Sequence, residues 1–376
     1  MEKSKRLLYI DYLRGLAVIV MIEVHVVNAF LIRETRAEWW FVIVNYINGL
    51  VAPSFLFITG FAFIIVSERK WENYLSGGKY LRKQLLRILQ IILIGYALHL
   101  PYFSYKKYTN TIPEQMLTTF LKIDILHCIA ISLFLMLMFI LIFRKKEIVL
   151  SVLVVLTLLI VFLSPIVWST SFLDLPKAFA MYLNAEQGSL FPIFPWMGFV
   201  FLGGISAFIF SKYKEKEKIF EKIIYISIAI IFVTIVVRLI SPNVLLSFKQ
   251  IQPSPSFFFQ RAAIVTLLLG LFGFIESKNK LPNSFINIAG SESLVVYTAH
   301  LLIIFGLFFD GKSLSSIVGT TQTFQTTLFM SFVLILLMCL TAYVWNFIKN
   351  KNILYARIIQ YTILAVTLIL FFSGRF

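Results

Sequence analysis

Asp11-Tyr-Leu-Arg14-Gly15-Leu-Ala-Val-Ile-Val-Met-Ile-Glu23-Val-His25 places a guanidinium and an imidazole inside one apolar run. At ~100° per residue an eleven-residue separation leaves the two side chains only ~20° apart around a helix axis, and ~16 Å apart along it. Arg14 and His25 therefore share one stripe. Ionisable groups inside a membrane helix are costly, which makes a functional role the first reading, with satisfaction by neighbouring helices as the alternative. Glu23 lies about 180° from Arg14 and has no evident partner.

The rest of the chain has the same character. Of 376 residues 59% are hydrophobic and 14% charged, with 39 Phe, and apolar runs of membrane-spanning length recur throughout. The fold class expected is an all-α polytopic membrane protein with about eleven transmembrane helices. They fall near 8–31, 41–66, 82–104, 118–143, 147–168, 190–211, 220–241, 257–276, 287–309, 325–348 and 354–373. Residues 1–376 read as a single transmembrane domain, with no fixed-period repeat and no soluble module. Lys3, Lys5 and Arg6 precede the first run as in a signal peptide. The charged residues within the run and the lack of a small-residue cleavage site favour a retained helix.

A net charge of +16 would suggest nucleic acid in a soluble protein. Here it lies in short loops that alternate in basic content. The N-terminus, Arg69–Lys83, Arg144–Lys146, Lys212–Lys218, Lys278 with Lys280, and Lys349 with Lys351 are rich. The intervening loops carry only Arg33 and Arg36, offset by Glu34 and Glu38, then Lys106 and Lys107, Lys177, Lys249 and Lys312. The positive-inside rule puts the N-terminus in the cytoplasm and the C-terminus outside. The partners implied are membrane lipid and a small-molecule or glycan acceptor, not nucleic acid; a homodimer is allowed but not required. Cys128 and Cys339 lie in apolar runs, with no disulfide expected, and none of the four histidines shows metal-ligand spacing.

That orientation sorts the buried polar residues by depth. His25, Asn45, Asn48, His99, Asp124, His127, Trp196, Arg238, Gln260 and Arg261 come to an outer level; Asp11, Arg14, Arg82, Lys83, Arg87 and Glu292 to a cytoplasmic one. For Arg238, Arg261 and Trp196 interfacial anchoring explains the position equally well. Asp124 and His127, three apart, either orient an imidazole or form a packing pair. Asp11 and Arg14, also three apart, either cancel each other or leave a guanidinium for a phosphate. Tyr297 and His300 share a face in the ninth run. Nothing ties His99 to a motif.

Several of these stretches together resemble a known family. They are the opening around Arg14 and His25, Pro53-Ser54-Phe-Leu-Phe-Ile-Thr59-Gly60-Phe61, Lys122-Ile-Asp124-Ile-Leu126-His127-Cys-Ile-Ala130, Phe191-Pro192-Ile-Phe194-Pro195-Trp196-Met-Gly198 and Gly290-Ser291-Glu292-Ser293-Leu294-Val-Val-Tyr297. The resemblance is to bacterial relatives of the heparan-α-glucosaminide N-acetyltransferase catalytic domain, and the Arg-to-His spacing also matches the O-antigen acetylase type. It implies a multi-pass acyltransferase of the bacterial cytoplasmic membrane. Such an enzyme uses acyl-CoA, in the first instance acetyl-CoA, as cytoplasmic co-substrate, and an extracytoplasmic acceptor, usually a glycan; the histidine spacing noted above adds the expectation of no metal. One departure limits it. The heparan branch has a histidine beyond the first helix, shortly before an Asn-Gly pair; here no histidine precedes Asn48-Gly49 in that loop.

The roles that follow are His25 as general base, with an acyl-histidine intermediate as the open alternative, Arg14 and Arg87 at the acyl-CoA, and Asn45, Asn48, Asp124, His127, Tyr297 and His300 around the acceptor. The rival is a transporter or binding protein for an anionic solute, suggested by cations at both depths and by interruptions at Gly49, Pro53 and Gly60. A structural subunit would leave the buried histidines unexplained. Orientation is testable directly. Cysteine labelling at Phe376 is expected to report an extracytoplasmic end; a cytoplasmic signal would reverse every depth assigned above.

Overall fold

The computed structural model describes residues 7–100, 104–105, 114–213, 215–240, 253–278, 281–307 and 311–373. The first six residues, Lys106, Lys107, Lys214, the Arg238 side chain, the Pro-rich stretch 241–252 with Lys249, Lys280 and Phe376 lie outside the described residues. Among the described residues the regular structure is helical, with an isolated parallel bridge between Leu31 and Gln322. Among the described residues nine helices are long and apolar enough to cross a membrane, and a bent pair would make ten.

Three of the eleven expected spans differ. Residues 82–104 give a helix over Lys79–Leu98, but Lys79, Arg82, Lys83 and Arg87 crowd its first turns, and it is not among the nine. The span expected from 118 begins at Ile125, because Asp124 caps it and a short helix, Glu114–Leu121, precedes the break. The ninth run is the bent pair, Phe285–Ser291 and Ser293–Phe305, turning through 86°.

The described chain forms two compact units, Met1–Val51 with Leu100–Phe120 and Pro282–Phe376, and Ala52–His99 with Leu121–Leu281. The first is organised on α1 (Leu8–Phe30), which packs against α13 (Phe285–Ser291), α14 (Ser293–Phe305) and α16 (Phe324–Lys351). In lipid the hydrophobic effect does not drive helices together, so close van der Waals approach through small residues must. A Cβ on Gly15 would collide with the Ile286 carbonyl, and one on Gly290 with the Asp11 carbonyl. Each glycine thus admits the other helix's backbone. Glu292, buried at the 86° bend, accepts from Asn346 Nδ2 at 2.8 Å and pairs with Lys349 on α16.

The α1 C-terminus is closed by Arg36, whose guanidinium donates to the carbonyls of Val27, Asn28 and Leu31 at 3.1–3.3 Å. A cation there satisfies orphan carbonyls and complements the helix dipole. Beside it Val27, Leu31 and Phe41 pack with Trp40, Val44 and Phe324. Phe41 opens α2 (Phe41–Asn48). On α16 the buried Thr327, Ser331, Leu334, Met338 and Ala342 form one stripe, while α17 (Ile353–Ser373) buries only Ala356.

The second unit repeats the glycine device. A Cβ on Gly60 of α3 (Val51–Arg69) would strike the Val200 carbonyl, and one on Gly203 of α10 (Ile193–Lys212) the Phe57 carbonyl. Gly60 therefore interrupts no helix; it lets two meet. Pro53 sits in the first turn of α3, where it lacks no intrahelical bond, and Gly49 caps α2. Around this pair lie α5 (Lys79–Leu98), α7 (Ile125–Phe143), α8 (Lys146–Ser169), α11 (Lys216–Ile240) and α12 (Pro255–Ser277). The turn between α7 and α8 is two residues long, with Arg144 at φ 60°.

The basic loops of this unit meet at one end. Trp71 of α4 (Trp71–Leu75) donates to the Arg144 carbonyl at 2.8 Å, Lys146 lies 4.0 Å from Glu68, and Lys278 pairs with Glu217. The opposite end is closed by Leu190 and Phe191 amides on the Ile123 carbonyl and by Trp168 Nε1 on the Phe194 carbonyl at 2.8 Å.

Leucine at Gly15 or Gly60 would have to push two backbones apart. Gly15→Leu and Gly60→Leu are expected to lower the thermal midpoint of the purified protein in detergent, by an overpacking cost of ~1–3 kcal/mol or more. Val366→Leu on the exposed α17 should leave it unchanged. Equal midpoints for all three would refute the close-contact account.

Candidate functional site

Each unit contains one centre of buried polar side chains. In the first, His25 near the C-terminal end of α1 meets His300 of α14, the His300 Nε2 lying 3.1 Å from His25 Nδ1 and the ring centroids 5.0 Å apart. His300 is wholly buried and His25 half-buried. Each Nδ1 also faces the carbonyl one turn back, Met21 at 2.9 Å for His25 and Val296 at 2.7 Å for His300. The Tyr297 ring stands 5.8 Å from His300, and the Phe305 ring 6.3 Å from His25, so an aromatic ring flanks each imidazole.

Glu23, for which the sequence offered no partner, hydrogen-bonds the Asn48 side chain. That contact joins α1 to the end of α2 and gives Asn48 a local role. Asn45, its neighbour one turn earlier, is exposed, and its backbone carbonyl accepts the Gly49 amide. Arg14 is half-buried beside the Gly15 crossing and Asp11 is buried.

The second centre is built on the N-cap of α7. Asp124 Oδ1 accepts the Leu126 amide at 2.8 Å and the His127 amide at 3.3 Å, closing the orphan donors of the first turn. The same oxygen meets His127 Nδ1 at 2.8 Å. A carboxylate accepts only, so this contact fixes the hydrogen on Nδ1 and leaves Nε2 with its lone pair. The Asp124 amide, 3.3 Å from the same nitrogen, is then a neighbour and not a donor to it. His127 lies flat on the backbone of Gly95, where a Cβ would come within 2.9 Å of its Cε1. The Tyr96 ring packs edge-on at 4.2 Å, and its hydroxyl lies 3.1 Å from that of Tyr182, on α9 (Lys177–Leu183). Burial, then the bond to Tyr96, holds the Tyr182 hydroxyl far above the usual tyrosine range, so it stays protonated.

His99 completes this group. Its Nδ1 lies 2.9 Å from the Gly95 carbonyl and 4.0 Å from Asp124 Oδ2, so Asp124 faces two imidazoles, one on each oxygen. The expectation that His99 stands apart from the motifs is therefore corrected. The missed signal is the spacing of Gly95, Tyr96 and His99: three and four residues put Tyr96, His99 and the glycine gap on one side of the last turn of α5. Tyr182 left no such trace, because its place depends on how the 170–190 loop folds back.

The structure thus brings together His25, His300 and Tyr297 in one unit, and Asp124 and His127 in the other. Arg14 and Arg87 fall in different units, and Arg87 is exposed on α5, where its charge acts on Tyr74. Among the described residues no three His, Cys, Asp or Glu side chains are placed to hold a metal ion.

Comparison with known proteins assigns the scaffold. No curated protein matches the chain. Residues 6–235 match the family described as heparan-alpha-glucosaminide N-acetyltransferase, catalytic. The match takes in Arg14, His25, Asn48, Asp124 and His127 and ends before Tyr297 and His300. A match over more than half of the sequence, on a bundle of membrane-length helices, leads to one conclusion: the chain belongs to the heparan-alpha-glucosaminide N-acetyltransferase catalytic family and is a multi-pass membrane protein of the acetyltransferase type.

Proposed function

We propose that the protein transfers an acyl group, in the first instance acetyl, from cytoplasmic acyl-CoA to a hydroxyl or amine of an extracytoplasmic glycan. The observation that carries this reading is His25, an imidazole inside a matched membrane helix and held by a second imidazole 3.1 Å away. A neutral histidine is the side chain best suited to take a proton near pH 7.

In the proposed reaction His25 removes the acceptor's proton as its oxygen or nitrogen attacks the thioester carbon. The carbon–sulfur bond then breaks, and the CoA thiolate leaves and takes up the proton. The net products are the acylated acceptor and CoA thiol. The CoA phosphates cannot cheaply enter the hydrocarbon core, so they are expected to stay with cytoplasmic cations while the pantetheine arm reaches inward. Arg14 is the proposed phosphate or pantetheine contact on α1; Arg87 is the candidate at the basic end of the second unit. Asp124, His127 and the hydroxyls beside them supply the acceptors and donors that a sugar requires, and are proposed for acceptor recognition.

A carrier for an anionic solute draws support from the 86° break between α13 and α14, since broken helices expose charged backbone ends in transporters. Here the break is filled by protein: Glu292 occupies it, bonded to Asn346 and Lys349. That favours a static bend over an ion site.

His25→Ala is expected to lower acyl transfer by ~10²–10⁴-fold with protein levels intact. In the same assay Arg14→Gln should raise half-saturation for acyl-CoA and not for the acceptor, with Arg14→Lys restoring only part, since Lys lacks the two-pronged geometry. Asp124→Asn should show the reverse substrate pattern. Full activity in His25→Ala would remove the base from the mechanism, and unchanged acyl-CoA affinity in Arg14→Gln would leave Arg14 as a packing residue.

A further inference from the structure

We propose that His300 is a positioning residue for His25: with the Met21 carbonyl, its Nε2 lone pair accepts the His25 Nδ1 hydrogen and so holds His25 in the orientation and tautomer whose Nε2 is free to act as base. The inference rests on the reading of His25 as base and adds a residue beyond the matched stretch 6–235.

The hydrogen positions follow from what each neighbour is able to do. The Val296 carbonyl, 2.7 Å from His300 Nδ1, only accepts, so that nitrogen carries the hydrogen. In a neutral ring His300 Nε2 is then a lone pair. It faces His25 Nδ1 at 3.1 Å, which also faces the acceptor-only Met21 carbonyl at 2.9 Å. Two acceptors converge on one nitrogen, and both are satisfied only if His25 Nδ1 carries the hydrogen and shares it in a three-centre bond. The opposite tautomer would set the His25 lone pair against another lone pair and a carbonyl oxygen. The remaining ring nitrogen of His25, Nε2, is left as the proton acceptor.

The arrangement also serves the charged state. Once His25 Nε2 has taken the acceptor's proton, its Nδ1–H donates to two oriented neutral acceptors, which stabilise the transient imidazolium without a second charged group beside it. Asp124 does this for His127 with a carboxylate; His300 does it for His25 with a neutral ring. The rings of Tyr297 and Phe305 flank the pair, one beside each imidazole.

The test combines tautomer and rate. Protein labelled with nitrogen-15 histidine, purified in detergent, should show His25 protonated on Nδ1. His300→Leu leaves the Met21 carbonyl as the one remaining acceptor, so it should admit a detectable share of the Nε2–H form and lower kcat by about 10-fold, the worth of one hydrogen bond, with half-saturation for both substrates little changed. His300→Gln, whose side-chain oxygen accepts the same hydrogen, should keep the Nδ1–H form and recover most of the rate. His25 protonated on Nε2 in the unmodified protein, or equal tautomers and rates in His300→Leu and the unmodified protein, would overturn the proposal. The resting tautomer needs no turnover, so it is decided even if His25→Ala proves active and the base assignment fails.

Discussion

Backbone-to-backbone approach at glycine is the constraint on which the first unit depends. Gly15 and Gly290 each admit the other helix's carbonyl, so α1 and α13 lie closer than any side chain would allow. In lipid this contact replaces hydrophobic burial as the cohesive term, because apolar side chains gain little by leaving an apolar solvent. With α13 seated on α1 and Glu292 tying the bend to Asn346 and Lys349, α14 departs from a fixed point and carries His300 to His25. The imidazole pair is a product of that packing.

Many polar groups inside the units are satisfied within their own helix. Hydroxyls return to the carbonyl one turn back, as Ser132 does to Cys128 at 2.6 Å and Thr157 to Leu153 at 2.7 Å. Helix ends are closed by side chains, Asp124 at the start of α7 and Arg36 at the end of α1. Against this background the two histidine centres stand out. His127 is held by a carboxylate and His25 by another histidine, and the two holders differ in charge while performing the same service of fixing a hydrogen on Nδ1. A neutral holder leaves the His25 centre uncharged at rest, which is the less costly state inside a membrane.

Much of this was legible in the sequence, and the limits have physical reasons. The membrane class follows from run length, and the stripe shared by Arg14 and His25 follows from helical geometry alone. Asp124 and His127 are joined as their spacing suggests, though the aspartate caps the helix and does not lie on its face. The span expected at 118–143 began too early because an apolar run hides a break that only the cap reveals. Gly60 read as an interruption because glycine weakens a helix in isolation, yet its missing side chain is what lets α3 meet α10. The partners of His25 and Glu23 lie 275 and 25 residues away along the chain, and local periodicity carries no information at such separations. Tyr182 was hidden for the same reason, whereas His99 was marked by its spacing from Gly95 and Tyr96.

Group transfer itself is the central claim, and it needs no membrane potential or second compartment. Purified protein in detergent, given acetyl-CoA labelled in the acetyl group and surface glycan from cells that make the protein, measures it directly. The account predicts label in the glycan with one CoA thiol released per acetyl transferred. No transfer and no thiol release in detergent, with uptake of an anionic solute by the same protein in sealed vesicles, would contradict it.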